Sequence, residues 1–209
     1  IGTKGEKWYT GIGLRSEYTN QSYHMPYPNA GDSPDGGQKY LDLFPSMQLK
    51  YTPSDKVNWK ASYFRSVNRP GFFEIVPYQM IYEDHTEYGN PDLKQALIDN
   101  IDLRWEYFPS NTQQLMVGLF YKQIQDPIEF IYVTVSNSER GYMYRNMEDA
   151  TNFGAEIDAI KFIRQFGIKA NYTYTHSSIT TPKKYYSKDA NGNTTMLSQN
   201  QVRPLVRQA

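Results

Sequence analysis

Apolar side chains fall at every second position in stretches of about 10–14 residues, and tight turns of about four or five residues alternate with long polar loops between them. Strict period two over such lengths is a strand signature, because a helix at 100° per residue would smear the intervening charges around every face. One apolar and one polar face, with short connections on one side and long ones on the other, suits a sheet lying between lipid and water. An open sheet edge in hydrocarbon leaves N–H and C=O groups without partners, so such a sheet has to close on itself. The pattern therefore predicts an all-β chain: an antiparallel up-and-down transmembrane β-barrel segment of about seven or eight strands, with short periplasmic turns and long extracellular loops.

The strands can be placed by their alternation. The first is expected over 7–20, with Trp8, Thr10, Ile12, Leu14, Ser16 and Tyr18 on one face and Tyr9, Gly11, Gly13, Arg15 and Glu17 on the other. The second covers about 43–52 and the third 57–67, joined by Pro53-Ser54-Asp55-Lys56. The fourth opposes Leu97, Ile101, Leu103, Trp105 and Tyr107 to Asn100, Asp102, Arg104 and Glu106, and Pro109-Ser110-Asn111-Thr112 turns it into the fifth, 115–122. The sixth runs over 152–163 and, through a turn at Gln165-Phe166, reaches the seventh at 168–175. Long loops fill 25–37, 68–95 and 125–150, the last containing Ile128–Val133 as a strand extending above the membrane; a fourth includes Lys188–Asn193. An eighth strand begins before Val206-Arg207-Gln208-Ala209, an ending that reads as a truncation.

Bulk properties narrow the function. Net charge is zero, which argues against a nucleic-acid binder, and the absence of cysteine excludes disulfide scaffolds and thiolate chemistry. Mean hydropathy is −0.72, compatible with a barrel because only half of each strand faces lipid. Tyrosine, at 19 residues, suits an interfacial belt. A soluble β-sandwich shares the alternation, but aromatics at the stripe ends (Trp8, Tyr18, Trp105, Tyr107, Tyr121, Tyr174), charges in mid-strand and alternating loop lengths favour lipid.

At Arg69-Pro70-Gly71-Phe72-Phe73-Glu74-Ile75-Val76-Pro77, then Gly89-Asn90-Pro91-Asp92-Leu93, then Phe120-Tyr121-Lys122 with Ile128 soon after, the chain resembles the barrel of TonB-dependent outer-membrane receptors, closest to those common in Bacteroidetes. Gly13-Leu14-Arg15-Ser16-Glu17 and Asn152-Phe153-Gly154-Ala155-Glu156 extend the likeness from the first strand to the seventh. Many relatives continue the second motif with Lys-Pro-Glu, where this chain has Lys94-Gln95-Ala96. The resemblance implies that 1–209 is part of one barrel domain of about 22 strands, filled by an N-terminal plug that, with the barrel's C-terminus, lies outside this chain. It further implies outer-membrane lipid, the plug, the TonB complex, a surface lipoprotein and a small solute or oligomeric nutrient as partners, with no cofactor.

The residues themselves give Arg69-Pro70 as the exit from the third strand and Gly89-Asn90-Pro91 as the turn back into the fourth. No catalytic constellation is present, so no enzyme is expected; the histidines lack metal-ligand spacing, and Tyr82-Glu83-Asp84-His85-Thr86-Glu87-Tyr88 reads as a solvated acidic loop or a cation site. Arg15, Glu17, Lys50, Lys60, Asp102, Arg104, Glu106, Lys122, Glu156, Asp158 and Lys169 are expected to face the lumen, against a plug or against water. The loop aromatics Tyr78, Tyr82, Tyr88, Phe130, Tyr132, Tyr142 and Tyr144 either cap a substrate or pack the loops together. The leading expectation is energised import of a siderophore, vitamin, glycan or peptide; the rivals are a passive porin or adhesin barrel and a soluble carbohydrate-binding sandwich.

Overall fold

The computed structural model describes residues 2–28, 31, 33–134, 140–188 and 194–204, with backbone alone at 134, 140, 182–188 and 194–200. The tip of the Lys188–Asn193 loop and the ending Val206–Ala209 lie outside these residues. Strands β1 (Gly2–Lys4), β2 (Trp8–His24), β3 (Asp35–Ser54) and β4 (Val57–Asn68) come first. A single helical turn, α1 (Phe72–Ile75), and the short strands β5 (Gln79–Ile81) and β6 (Thr86–Tyr88) follow. Then come β7 (Ala96–Ser110), β8 (Gln113–Gln125), β9 (Ile128–Thr134), β10 (Arg140–Asn146), β11 (Ala150–Ile163), β12 (Phe166–Lys188) and β13 (Thr194–Arg203).

Nine of these strands form one antiparallel meander in the order β1-β2-β3-β4-β7-β8-β11-β12-β13. Its short connections are a three-residue link at 5–7 and two-residue turns at Asp55-Lys56, Asn111-Thr112 and Arg164-Gln165, so Phe166 already belongs to β12. Prolines cannot donate to a ladder. Accordingly the register shifts between Tyr51 and Ser54, around Pro53, and between Tyr107 and Ser110, around Pro109.

Register carries the apolar positions into continuous rows. Ile12, Met47, Tyr63, Ile101, Tyr121 and Phe153 are successive cross-strand partners, as are Trp8, Tyr51, Trp59, Trp105, Val117, Ile157 and Tyr172. Rings in the second row meet: Trp8 stacks on Tyr51 at 4.2 Å, and Trp59 and Trp105 lie 6.4 Å apart. This belt sits at the short-turn end of the sheet, where an interfacial girdle belongs. The rows stay open to their surroundings: Ile12 is 61%, Leu14 71% and Tyr172 64% exposed. No second sheet covers them among the described residues, so a sandwich core is not what these side chains build.

The band does not run square to the strands. Its outer limit is Tyr18 on β2 but Tyr174 on β12, whose register row leads back to Thr10; its inner limit drops from Trp8 to the level of Phe166. A slip of about six to eight residues over six strand-to-strand steps, at ~3.4 Å per residue and ~4.8 Å between strands, corresponds to a tilt of roughly 40°. Barrels of the outer-membrane type tilt their strands by about that much.

The long-loop side departs from the sequence reading in two ways. Strands β2 and β3 stay paired from Trp8↔Tyr51 out to His24↔Asp35, so both run past their expected ends at 20 and 43, and positions 35–37 of the expected loop are ladder. Similarly β12 extends to Lys188, far past 175. Ile128–Val133 is a strand as expected, and it lies in a separate four-stranded sheet, β5-β6-β10-β9. That sheet joins the two largest excursions through a parallel pair, Tyr142↔Glu87 and Met143↔Tyr88.

One face of the small sheet lies on the main sheet. Ile131 packs against Met147, Ala150 and Ile179, with Ile124 alongside, and Glu129 pairs with Arg203. Ile124, Ala150 and Ile179 share the parity of the charged positions, so the small sheet leans over the polar face and leaves the apolar one bare.

Candidate functional site

On the polar face, Lys50, Lys60 and Arg104 are direct cross-strand neighbours. Like charges placed opposite one another repel. Lys60 is compensated by Glu106, whose carboxylate accepts from Lys60 Nζ at 2.6 Å and Asn58 Nδ2 at 3.2 Å while only 2% exposed. Arg15 reaches Glu17 at 3.1 Å, and Asp158 accepts from Gln114 Nε2 at 2.8 Å. Gly118 separates Arg104 from Glu156, and the missing side chain opens two depressions of about 210 and 280 Å³. Asp102 and Lys122 line the first and Asp158 the second, while a third, of about 470 Å³, lies among Tyr9, Lys50, Lys60 and Arg104. Every charge expected on this face from 15 to 158 thus lies there by register, either ion-paired or at the wall of a concavity.

The two sequence motifs turn out to form one knot. Arg69 leaves β4 and donates to Glu17 Oε2 at 2.6 Å and Asp42 Oδ2 at 3.4 Å, tying the excursion back to β2 and β3. Pro70 is fully buried behind it. Glu74 caps α1 by accepting from Gly71 N–H at 2.9 Å. Its carbonyl then accepts from Asn90 N–H at 2.7 Å, while Gly89 N–H donates to Tyr78 O at 3.0 Å. Gly89 is obligatory: a Cβ there would lie 1.7 Å from Val76 O. Asn90 Oδ1 accepts from Asp92 N–H at 3.1 Å, and its Nδ2 donates across to Tyr144 O at 2.8 Å. Ile75, Leu93 and Ile128 fill the interior of the knot, with Tyr144 against them. Gln38 of β3 clamps its far side by donating to Leu93 O.

Above the knot the loop aromatics converge. Phe130 stacks on Tyr142 at 5.3 Å and lies 4.7 Å from Tyr144; Tyr132 meets Tyr142 edge-on at 5.4 Å. His85 stacks on Tyr82 at 4.7 Å and points its edge at Tyr142 at 5.4 Å. Tyr78 joins from below, close enough to Tyr144, Tyr82, Glu87 and Glu74 to feel all four. Burial pushes the Tyr78 and Tyr144 phenols up, and the carboxylates of Glu87 and Glu74 push them further. Tyr88 takes the packing role of the two expected for these rings. It pairs with Met143, which alternates with Tyr142 and Tyr144, and is buried on the opposite face.

The acidic stretch 82–88 has a definite geometry. His85 Nδ1 lies 2.7 Å from Asp84 Oδ1 and Nε2 3.4 Å from Glu87 Oε1. The hydrogen bond to Asp84 is the main reason the imidazole titrates above its usual range, with Glu87 adding; Asp84 is lowered chiefly by the same bond. Both ring nitrogens are thereby engaged, and among the described residues no three His, Cys, Asp or Glu side chains are grouped to hold a metal ion. Sequence reasoning missed the bracing residues Asp42, Glu74 and Asn146. Only Glu74 left a signal, an acidic residue three positions after a turn-forming glycine.

Comparison with known proteins adds the following. Residues 1–205 match the family described as outer membrane protein beta-barrel family. No curated protein sequence matches. The siderophore receptor PirA from Pseudomonas aeruginosa superimposes with a TM-score of 0.61 at 14% identity, over 94% of this chain and 44% of that one. The hemophore receptor HasR of Serratia marcescens, solved with its hemophore and heme, gives 0.63 at 17% over 87% and 32%. PirA from Acinetobacter baumannii gives 0.57 at 12% over 95% and 36%. The chain therefore spans less than half the length of each, and at these identities the likeness is one of fold. None of the three sources supports a particular tie to Bacteroidetes.

Proposed function

The chain belongs to the outer membrane protein beta-barrel family, and on that footing we propose that it is a stretch of wall and capture loops from a TonB-dependent importer of a scarce solute. Its apolar rows meet the hydrocarbon of the bacterial outer membrane, and its polar face looks into the lumen. The observation that carries the reading is the polar face itself. Lys50 and Arg104 stand in register with Lys60, yet among the described residues only Lys60 has an ionic partner. Open depressions flank them. A surface of this kind fits a filling domain that supplies counter-charges and is later loosened by an energised partner. Resemblance to siderophore and hemophore receptors over most of the chain supports the same view. No covalent chemistry is assigned to it.

A passive porin is the competing reading, and conductance separates the two. Full-length protein reconstituted in a planar bilayer should stay electrically closed, and deletion of the N-terminal plug alone, with the barrel kept whole, should open a large, steady conductance. Continuous conductance from the intact protein would overturn the importer in favour of the porin.

A further inference from the structure

The aromatic cluster on the outer face of the small sheet carries a second feature: its charge. Glu87 and Glu74 act electrostatically on both Tyr78 and Tyr144, alongside neighbouring phenols in the case of Tyr78. Glu87 sits opposite Tyr142 in register, and Asp84 stands beside it through His85. Ring faces with carboxylates at their edges attract cations, since the π-face and the carboxylate present the same sign.

The chain's own imidazole shows which cation fits. His85 is a flat nitrogen ring laid on Tyr82, edge-on to Tyr142, with a carboxylate at each nitrogen. Beside it Tyr132, Phe130 and Tyr142 repeat the pattern of stacked and edge-on rings with no cation between them among the described side chains, and Tyr132 is 60% and Phe130 41% exposed. The remainder of the face is rooted and rigid, held by the knot below it.

We propose that this face binds a planar nitrogen cation, a guanidinium or amidinium group on the imported solute, between the Tyr132–Tyr142–Phe130 rings and the carboxylate of Glu87. The assignment rests on the reading of these loops as a capture surface and narrows it from any scarce solute to a cationic one. It also distinguishes the roles of neighbouring rings: Tyr132 and Phe130 touch the ligand, whereas Tyr78 and Tyr144 hold the floor.

The test is binding by the full-length protein in detergent at low salt, followed by calorimetry with argininamide, citrullinamide (which keeps the α-amine but carries an uncharged ureido side chain), glutamate, and a Gly-Gly-Arg-Gly-Gly peptide. Argininamide should bind about tenfold more tightly than citrullinamide. Glu87→Gln should weaken argininamide about fivefold and leave citrullinamide unchanged, and Tyr132→Leu, at an exposed position, should weaken it without altering the far-UV spectrum. Tighter binding of the peptide than of argininamide identifies a peptide source, and the reverse a free small cation; either upholds the proposal. Equal binding of citrullinamide, preference for glutamate, or no binding by any probe overturns it. A protein that fails this test but stays closed in the bilayer remains an importer of something else, whereas open conductance removes the importer reading itself.

Discussion

Two residues show how much can depend on one side chain, or on the lack of one. Gly89 has no room for a methyl group, because Val76 O occupies the place of its Cβ. Gly89→Ala should cost about 3 kcal/mol, the upper part of the overpacking range. Limited proteolysis should then cut within 71–95 while the main strands stay protected; an uncut variant would show that the backbone yields more easily than this. His85 offers a test by pH. Its pKa is raised in the fold, so its pairing with Asp84 and Glu87 is complete below the ordinary imidazole value of ~6.5 and disappears as pH rises through the raised one. On the carboxylate side, Asp84 is lowered, so its share is present above its ordinary value and is lost as pH falls through the lowered one. Carbon-13 titration of His85 should give a midpoint above that of a free imidazole, and Asp84→Asn should bring most of it back. Tyr78, Tyr82, Tyr132, Tyr142 and Tyr144 were readable as loop aromatics because large rings in polar loops stand out. Which of them pack the loops was not readable: the two faces of a three-residue strand leave no periodicity to count, and it takes the structure to show that Tyr88 is buried.

At the scale of elements, the membrane strands were legible and the structures outside the membrane were not. Alternation located β4, β7, β8 and β11 within two or three residues at either end, since one face of each must be apolar. Beyond the membrane both faces of β2, β3 and β12 are polar, and the pattern vanishes although the ladder continues to His24↔Asp35. The small sheet was invisible for another reason: its parallel pair joins residues more than fifty positions apart, and no local signal encodes that. Asn146 is the joint that makes it cohere. Its Oδ1 accepts from Lys94 N–H at 2.8 Å, and its Nδ2 donates to Lys94 O at 2.9 Å and Asp126 O at 2.8 Å. Asn146→Ala should cost about 1–3 kcal/mol and act on both excursions together. Hydrogen exchange should quicken at β6 and β10 alike, with β7 and β8 unchanged; quickening confined to one excursion would show that the joint is not shared.

Across the whole molecule, the outward rows and their slip against register fix where hydrocarbon begins and ends. Leu103 lies near the middle of the band on β7, and Ser62 lies on the opposite face of β4. Leu103→Arg should reduce the free energy of folding into bilayers by about 2–4 kcal/mol, whereas an arginine near either margin of the band, as in Tyr18→Arg, should cost about 1 or less. Ser62→Arg should be tolerated, since that side is polar. Folding titrations in phospholipid vesicles measure all three, and equal costs for Leu103→Arg and Ser62→Arg would refute the facial assignment. The parallel pairing of β6 with β10 has a further bearing on how such a protein diverges. Each arm supplies half of a shared hydrogen-bonded seam, so a change in length or sequence on one is selected in the context of the other. Relatives whose arms have changed should therefore differ in both at once, with coupled substitutions at 87 and 142, while the paired wall strands beneath keep their spacing.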